Sequence, residues 1–531
     1  MKKIINFFIV KLLFGFNYKK KILKTHDILK KNNEIEKLIN DAKDSIEEYF
    51  AKKNNSIVSK DYDLSLTQFI FKNLINNKFF NEKLIFEKCF LENFYYPLPL
   101  EYLKILKKKG FKVNFLFSKI LWYFLIFIFL IYNLIKIFTN YYVAPNNTLI
   151  NNKNTIIFLS SMPKIDPNDD LNNNLPDFYN WFANFFHTNK KIENKIIFVH
   201  ENNKIKNKEI NSNKNISYEI RYIKNFLFRN IKTQKYILSI KDSFLLIFSK
   251  GLDKILILDE IIKYKYISQN IDNKPYYALF NMSNMTLQPL WSKLKNVNNE
   301  FMDYIFYYST NIIPLVEKPE LSANIFGYRL HSWNNYILWN KNQKYWIEHC
   351  SKKKINSLIA NDYIPFEGKN IHILKNNNKK IIIFDVQPRN NYVYYNFMHV
   401  GNIYTLEYCT NFLLDITESI KKIYPQAEII YKVKRDIKTI NKEYLKLVAD
   451  LASKIENFKV FYDEISAQSL IKYCDASISI PFTSTALIAD YLKKPSIYYH
   501  PSHKPLISIF SQKNDNQINN KYDLEAWLKT I

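Results

Sequence analysis

Glycine is what this sequence most conspicuously lacks, with six in 531 residues. Neither a P-loop nor a GxGxxG dinucleotide fingerprint can be written from Gly15, Gly110, Gly251, Gly327, Gly368 and Gly401. A bound phosphate would have to find other donors. Cysteine is scarce as well: Cys89, Cys350, Cys409 and Cys474 are widely spaced and form no CxxC, so neither a zinc site nor a disulfide framework is indicated. A reducing compartment is expected. No DxD pair stands at a strand end, and the adjacent Asp169 and Asp170 lie in a Pro- and Asn-rich loop. Neither a divalent metal nor any other cofactor is therefore expected. His500 and His503, on either side of Pro501, have no evident third ligand nearby and read as loop histidines.

What is present is apolar and basic. Forty-one Phe and thirty-nine Tyr, with hydrophobic residues at 47%, exclude a disordered chain and supply several cores. The length predicts about three units. A formal charge of +27 suits an anionic partner. The joint abundance of Lys, Asn, Ile, Phe and Tyr is also what AT-rich codons produce, so part of the lysine excess reflects nucleotide composition. The aromatics follow core periodicity and no nucleic-acid module appears, so nucleic acid is not expected as a partner.

Residues 1–110 read as a helical N-terminal region. It opens on MKKIINFFIVKLLFGF, where Lys11 interrupts the apolar run and no small-residue cleavage site follows, so a membrane-touching amphipathic helix is expected rather than a signal peptide. It closes on EYLKILKKKG, a basic last turn followed by Gly110. Residues 115–138 form a hydrophobic helix that is uncharged between Lys119 and Lys136. It could be a buried core helix or a span of ~20 residues. A true span would put the lysine-rich N-terminal side inside and most of the chain, with three cysteines, in an oxidising space. The expectation is therefore a helix that dips into the cytoplasmic leaflet, with basic neighbours on the headgroups, at the cytoplasmic face of the inner membrane.

Residues 150–375 read as an N-terminal Rossmann-like domain with strands TIIFLSS (155–161), KIIFVHE (195–201), YILSI (236–240), KILIL (254–258), YIFYYST (304–310) and NIHIL (370–374). The linker is KNNNKK at 375–380. Residues 380–525 give a regular repeat: strand 380–386, helix 405–423, strand 428–434, helix 441–455, strand KVFY, helix 466–473, strand ASISI, helix 484–493 and strand SIYYH. The fold class is α/β, two Rossmann-like domains behind a helical region, with a cleft between the domains where ligands usually bind.

If the second sheet is doubly wound, its first and fourth strands are neighbours and their carboxyl ends flank the switch point. Thr483, Ser484 and Thr485 follow the fourth strand and lead into helix 484–493. Helix-start N–H groups and three hydroxyls would hold a diphosphate without glycine. One hydroxyl could equally serve as an ordinary N-cap. Arg389, after the first strand, and Lys434 with Arg435, after the second, put cations at the same edge.

The stretch SIPFTSTALIADYLKKPSIYY, with Pro481, Phe482, Thr483 and Ser484 in order, resembles the polysaccharide biosynthesis family named for its PFTS motif. The setting of strand, motif, helix and return strand resembles the donor-binding half of GT-B glycosyltransferases. The resemblance covers residues 150–525 and is strongest after 380. It implies a metal-independent glycosyltransferase of cell-surface polysaccharide (capsule, O-antigen or a related glycan), with a nucleotide-sugar donor and a glycan or lipid-linked acceptor as partners, beside the membrane surface expected from residues 115–138 and their lysine flanks. Alternatives on the same scaffold are a pyruvyl or polyol-phosphate transferase, or a non-enzymatic scaffold of polysaccharide assembly. Such an enzyme needs donors for the leaving diphosphate and usually a base for the acceptor hydroxyl. Asp166, His200 and Glu201, at strand ends of the first domain, are the candidate bases; Asp463 and Glu464 are candidates for the donor nucleoside.

Overall fold

The structure is a computed structural model. It describes residues 33–56, 60–76, 78–143, 155–158, 177–190, 196–200, 209–212, 218–222, 233–269, 276–281, 288–296, 301–307, 309–310, 328–360, 363–365, 378–388, 405–434, 437, 440–462, 465–481, 483–502 and 517–531.

The described residues begin with a helical layer: α1 (Asn33–Ser56), α2 (Lys60–Ile70, continued by a π turn Phe71–Ile75), α3 (Lys78–Phe90), α4 (Leu100–Lys108) and α5 (Phe115–Val143). In α1, Ile39, Ala42, Ile46 and Phe50 recur at three- and four-residue spacing and are all buried, which puts one stripe into the core. Phe50 stacks on Tyr102 of α4 with ring centroids 3.9 Å apart. Gly110 ends α4 at φ +83°, donating to the Lys107 carbonyl while Phe111 N–H reaches back to Leu106 O, a Schellman closure that suits glycine.

The first sheet contains β1 (Thr155–Phe158), β2 (Ile196–His200), β3 (Glu209–Ser212), β4 (Tyr218–Tyr222), β5 (Tyr276–Asn281), β6 (Phe301–Phe306), β7 (Asn335–Leu338) and β8 (Ser357–Ile359). Their order is β3-β4-β2-β1-β5-β6-β7-β8, parallel throughout except for β3 against β4. Helix α6 (Asp177–Lys190) lies between β1 and β2 in the chain. Two expected strands are not strands. YILSI lies inside α7 (Thr233–Lys250), and KILIL spans a 3-10 turn (Leu252–Ile257) at the start of α8 (Leu258–Ser268). Tyr236, Ser239, Ser243 and Ile247 are the buried positions of α7, a helical spacing that a five-residue window cannot show. Tyr236, Ile247 and Ile255 to Leu258 share one apolar cluster with α1 to α5, so this segment completes the helical layer. NIHIL lies outside the described residues. After β7 comes α9 (Lys341–Ser351), capped by Asn340.

The second sheet contains β9 (Lys380–Phe384), β10 (Glu428–Lys432), β11 (Phe458–Phe461), β12 (Ala476–Ser479), β13 (Ser496–Tyr499) and β14 (Gln517–Ile518). The helices between and after them are α10 (Leu406–Ile423), α11 (Lys442–Lys454), α12 (Ala467–Tyr473), α13 (Ser484–Tyr491) and α14 (Lys521–Leu528). The order β11-β10-β9-β12-β13-β14, all parallel, is the doubly wound 3-2-1-4-5-6 arrangement. Strand β9 shows the alternation that builds it. Ile381 and Ile383 enter the cluster shared with α10 and α11, while Ile382 and Phe384 enter the opposite cluster with Phe306, Ile337 and Trp339 of the first sheet. One apolar layer therefore joins the two sheets.

Candidate functional site

Strands β9 and β12 are hydrogen-bonded neighbours, with Ser479 opposite Phe384, and Ile480 N–H extends the pairing to the Phe384 carbonyl. The chain thus leaves both strands at the switch point that the sequence predicts. A cavity of about 260 Å³ opens there. Thr483, Ser484 and Thr485 line one wall, Lys432, Lys434 and Asp385 another, and Ser466, Ala467 and Gln468 at the start of α12 a third. Ser309 and Trp339, just beyond β6 and β7, close it from the first sheet.

The three hydroxyls play different parts. Thr483 Oγ1 donates to the Ile480 carbonyl at 2.9 Å and lies 2.9 Å from Thr485 Oγ1, which lies 2.8 Å from Ser479 Oγ. Since the one Thr483 proton goes to a carbonyl, Thr485 donates to Thr483 and Ser479 to Thr485. Thr483 stands at the N-cap position of α13 with φ −84° and ψ 148°, yet its side chain makes no capping hydrogen bond. Its carbonyl accepts from Tyr498 Oη at 2.7 Å. The threonines therefore brace the turn, and the first-turn N–H groups receive no side-chain cap. Ser484 Oγ makes no hydrogen bond among the described residues and faces the cavity.

The cationic wall is fixed by a buried polar network. Gln387 accepts from Lys434 N–H at 2.9 Å and donates to Lys432 O and Tyr431 Oη, both at 3.2 Å, and to Asp385. Asp385 also accepts from Tyr431 Oη at 2.8 Å and from Tyr444 Oη. Burial, reinforced by the Asp385 carboxylate, pushes both phenols well above their ordinary range, so they remain proton donors. With three donors on it, Asp385 organises the wall and is poorly suited to take a further proton. Lys432 is buried and donates to Val433 O at 2.7 Å and Tyr462 O at 2.8 Å, which ties the end of β10 to the segment after β11. Lys434 is exposed at the mouth.

Of the residues singled out in the sequence, Thr483, Ser484, Thr485 and Lys434 come together on this cavity. Arg389, Arg435, Asp463, Glu464, Asp166 and Glu201 lie outside the described residues; His200 is the last residue of β2. His500 Nδ1 lies 2.7 Å from Tyr408 Oη, and burial lowers its pKa. Sequence reasoning missed Asp385, Gln387, Lys432 and Gln468. Asp385 and Gln387 follow a strand in FDVQPR, so the strand-end rule that picked Arg389 could have found them. Lys432 was hidden by the general abundance of lysine.

The strand order and the cavity define an α/β protein with a cavity at the switch point of a doubly wound sheet. The chain belongs to the polysaccharide biosynthesis PFTS motif protein family, whose model matches residues 243–528. No curated protein matches it by sequence. Among solved structures it is similar to one described as trehalose-6-phosphate from E. coli bound with UDP-2-fluoro glucose, at 10% identity and TM-score 0.36, over 71% of this chain and 90% of that one. An alpha,alpha-trehalose 6-phosphate synthase from Burkholderia multivorans matches at 6% identity and TM-score 0.35, over 71% and 89%. The N-terminal domain of Candida albicans trehalose-6-phosphate phosphatase matches at 10% and 0.35, over 73% and 90%. Superpositions this loose transfer no residue roles.

Proposed function

We propose that this protein is a metal-independent glycosyltransferase of GT-B type that draws on a nucleotide-sugar donor to build a cell-surface polysaccharide. Family membership supports the polysaccharide role. The observation that carries the chemistry is the start of α13, where N–H groups without a side-chain cap and the Ser484 hydroxyl face a cavity that also holds Lys432 and Lys434. Such a site suits the diphosphate of a donor and stabilises it further as it departs with the negative charge of bond cleavage. Arg389 and Arg435 would add charge at the same edge. Asp463 and Glu464 would meet the nucleoside, and the base would come from Asp166, His200 or Glu201 across the cleft. The acceptor is a growing glycan or its lipid-linked precursor, and the reaction takes place at the cytoplasmic face of the inner membrane.

The test is calorimetric titration with a panel of nucleoside diphosphates and their sugars, on the parent and Ser484→Ala. Loss of one charge-assisted hydrogen bond costs roughly 1.5 to 3 kcal/mol, about 10- to 150-fold in affinity. Equal binding by both proteins, or binding of no nucleotide by the parent, would overturn the assignment.

A further inference from the structure

Helix α5 is apolar all round, and the helical layer uses half of it. Leu121, Trp122, Leu125, Ile126 and Phe129 are buried in the core. On the same side Asn133 Nδ2 donates to Ile255 O at 2.7 Å, and Lys136 pairs with Asp259 at 2.5 Å. Burial alone would raise the Asp259 carboxyl, but Lys263 and Lys136 hold it below the usual range, so this pair is charged. The outward side is a second stripe, with Ile120, Phe124, Phe127, Ile131 and Ile135 all exposed. Phe127 is 57% exposed in the middle of the helix.

Helix α7 repeats the arrangement. It packs on the same Leu252–Ser268 segment that receives α5, and it turns Leu238, Leu245 and Phe248 outward, the last at 74% exposure. Around the α5 face the nearby charge in sequence is positive, while α7 carries the half-buried Asp242 among its lysines. Lys104, Lys107, Lys108, Lys109, Lys112 and Lys119 are exposed on the approach to α5 and its first turn, and Lys241 and Lys250 are exposed on α7. No Asp or Glu occurs between Glu101 and Asp166.

We propose that α5 and α7 together form a seat that enters one leaflet of an anionic lipid bilayer without crossing it. Each apolar stripe fits the acyl boundary, and the lysines fit anionic headgroups. Crossing would require α5 to give up Asn133 and Lys136 contacts to the helical layer and expose both groups to hydrocarbon. The lysine border distinguishes this occupant from a second copy of the chain, which would bring like charge against like.

The test is flotation of the full chain with vesicles of phosphatidylcholine alone or with about a third phosphatidylglycerol, on the parent, Phe127→Glu/Ile131→Glu and Leu245→Glu/Phe248→Glu. The parent should float with the anionic vesicles, and each pair should lower the bound fraction about tenfold or more. Lys108→Gln/Lys112→Gln, which leaves the apolar face intact, should weaken binding in low salt and change little in high salt. Thermal unfolding and nucleotide binding report whether each variant is folded; if a Glu pair unfolds the protein, the milder Phe127→Ser and Phe248→Ser replace it. Full vesicle binding by the α7 variant would overturn the joint seat. So would protease access to tags at both bilayer faces, which means a span. Failure of the parent to bind vesicles, with a dimer that the same substitutions dissociate, would show that the face joins two copies instead.

Discussion

The helical layer meets the first sheet through many buried polar groups beside apolar contacts such as Leu290 and Leu330, whereas the two sheets meet each other mainly through apolar side chains. At the first junction, buried Asp303 accepts from Asn334 Nδ2 at 2.6 Å, Gln288 Nε2 at 3.1 Å and Asn334 N–H at 3.2 Å. Gln68 of α2 donates to Leu330 O at 2.7 Å and accepts from Gln288 N–H at 3.0 Å. Glu47 of α1 accepts from Arg329 N–H, and Asp44 pairs with the Arg329 guanidinium, each at 3.0 Å. At the second junction Phe306, Ile337 and Trp339 face Ile382, Phe384 and Ile488. Hydrogen bonds are directional and admit one register, while apolar contact tolerates small adjustments. The polar junction fixes the layer that carries α5 and α7; the apolar one encloses the cavity.

The comparison is most severely tested at Asp303. Burial pushes its carboxyl above the usual range, against its Asn334 donors, so the network is finely balanced. Asp303→Ala leaves Gln288 and Asn334 donors buried without their acceptor and should cost about 3 to 5 kcal/mol in denaturant unfolding. A loss under 1 kcal/mol would mean that the polar junction contributes little more than a surface contact.

That contrast also explains what the sequence revealed. The nine elements read between 380 and 500 are all present, because each strand is followed by the helix that covers it and the contacts are local. In the earlier part, β1, β2 and β6 were legible as short apolar runs. YILSI and KILIL misled because their partners are α1 to α5, more than 90 residues upstream, and nothing local announces that the chain leaves the sheet. β5 and β8 were missed: YYALFN has no alternation, as expected of a strand covered on both faces, and SLI is only three residues long. At the site the hydroxyls stood out because three in a row are rare after a strand. Gln387 and Gln468 did not, because their importance lies in partners distant in sequence, Tyr431 and Tyr363.

The next effect in size separates bracing from binding within one turn. Thr483 Oγ1 has partners inside the protein, and Ser484 Oγ has none among the described residues. Thr483→Ala should therefore lower unfolding free energy by about 1 kcal/mol. Ser484→Ala should leave it within about 0.5 kcal/mol while nucleotide affinity falls. The reverse pattern, with Ser484→Ala destabilising and affinity intact, would make Ser484 a structural residue.

Glu47 offers a measurement of the polar junction by pH. Burial raises its pKa from 4.5 to about 8, with the Arg329 N–H opposing the rise. The folded state therefore binds a proton that the unfolded state has released. The associated stability is complete below about pH 4.5 and is lost as pH rises through about 8. The slope is at most about 1.4 kcal/mol per pH unit. Glu47→Gln, which keeps the shape and the acceptor, should flatten the stability curve across that interval. An unchanged curve would show that another group controls it.

The smallest effect is expected where the second sheet uses charges at its surface. Lys422 of α10 reaches Glu525 of α14 at 2.6 Å, the same distance as Asn334 Nδ2 to Asp303, but its side chain is 65% exposed. Water already solvates that ammonium and salt screens it, so the pair gains little over its separated charges. What holds α14 is Leu524 and Leu528, both fully buried in the cluster with α10 and β9. Lys422→Ala should change unfolding free energy by less than about 0.5 kcal/mol, with no dependence on salt beyond that of the parent. Leu524→Ala should cost about 2 to 5 kcal/mol in the same measurement. If the lysine variant were instead the more damaging, the second sheet would depend on polar contacts as the helical junction does, and the contrast between them would fail.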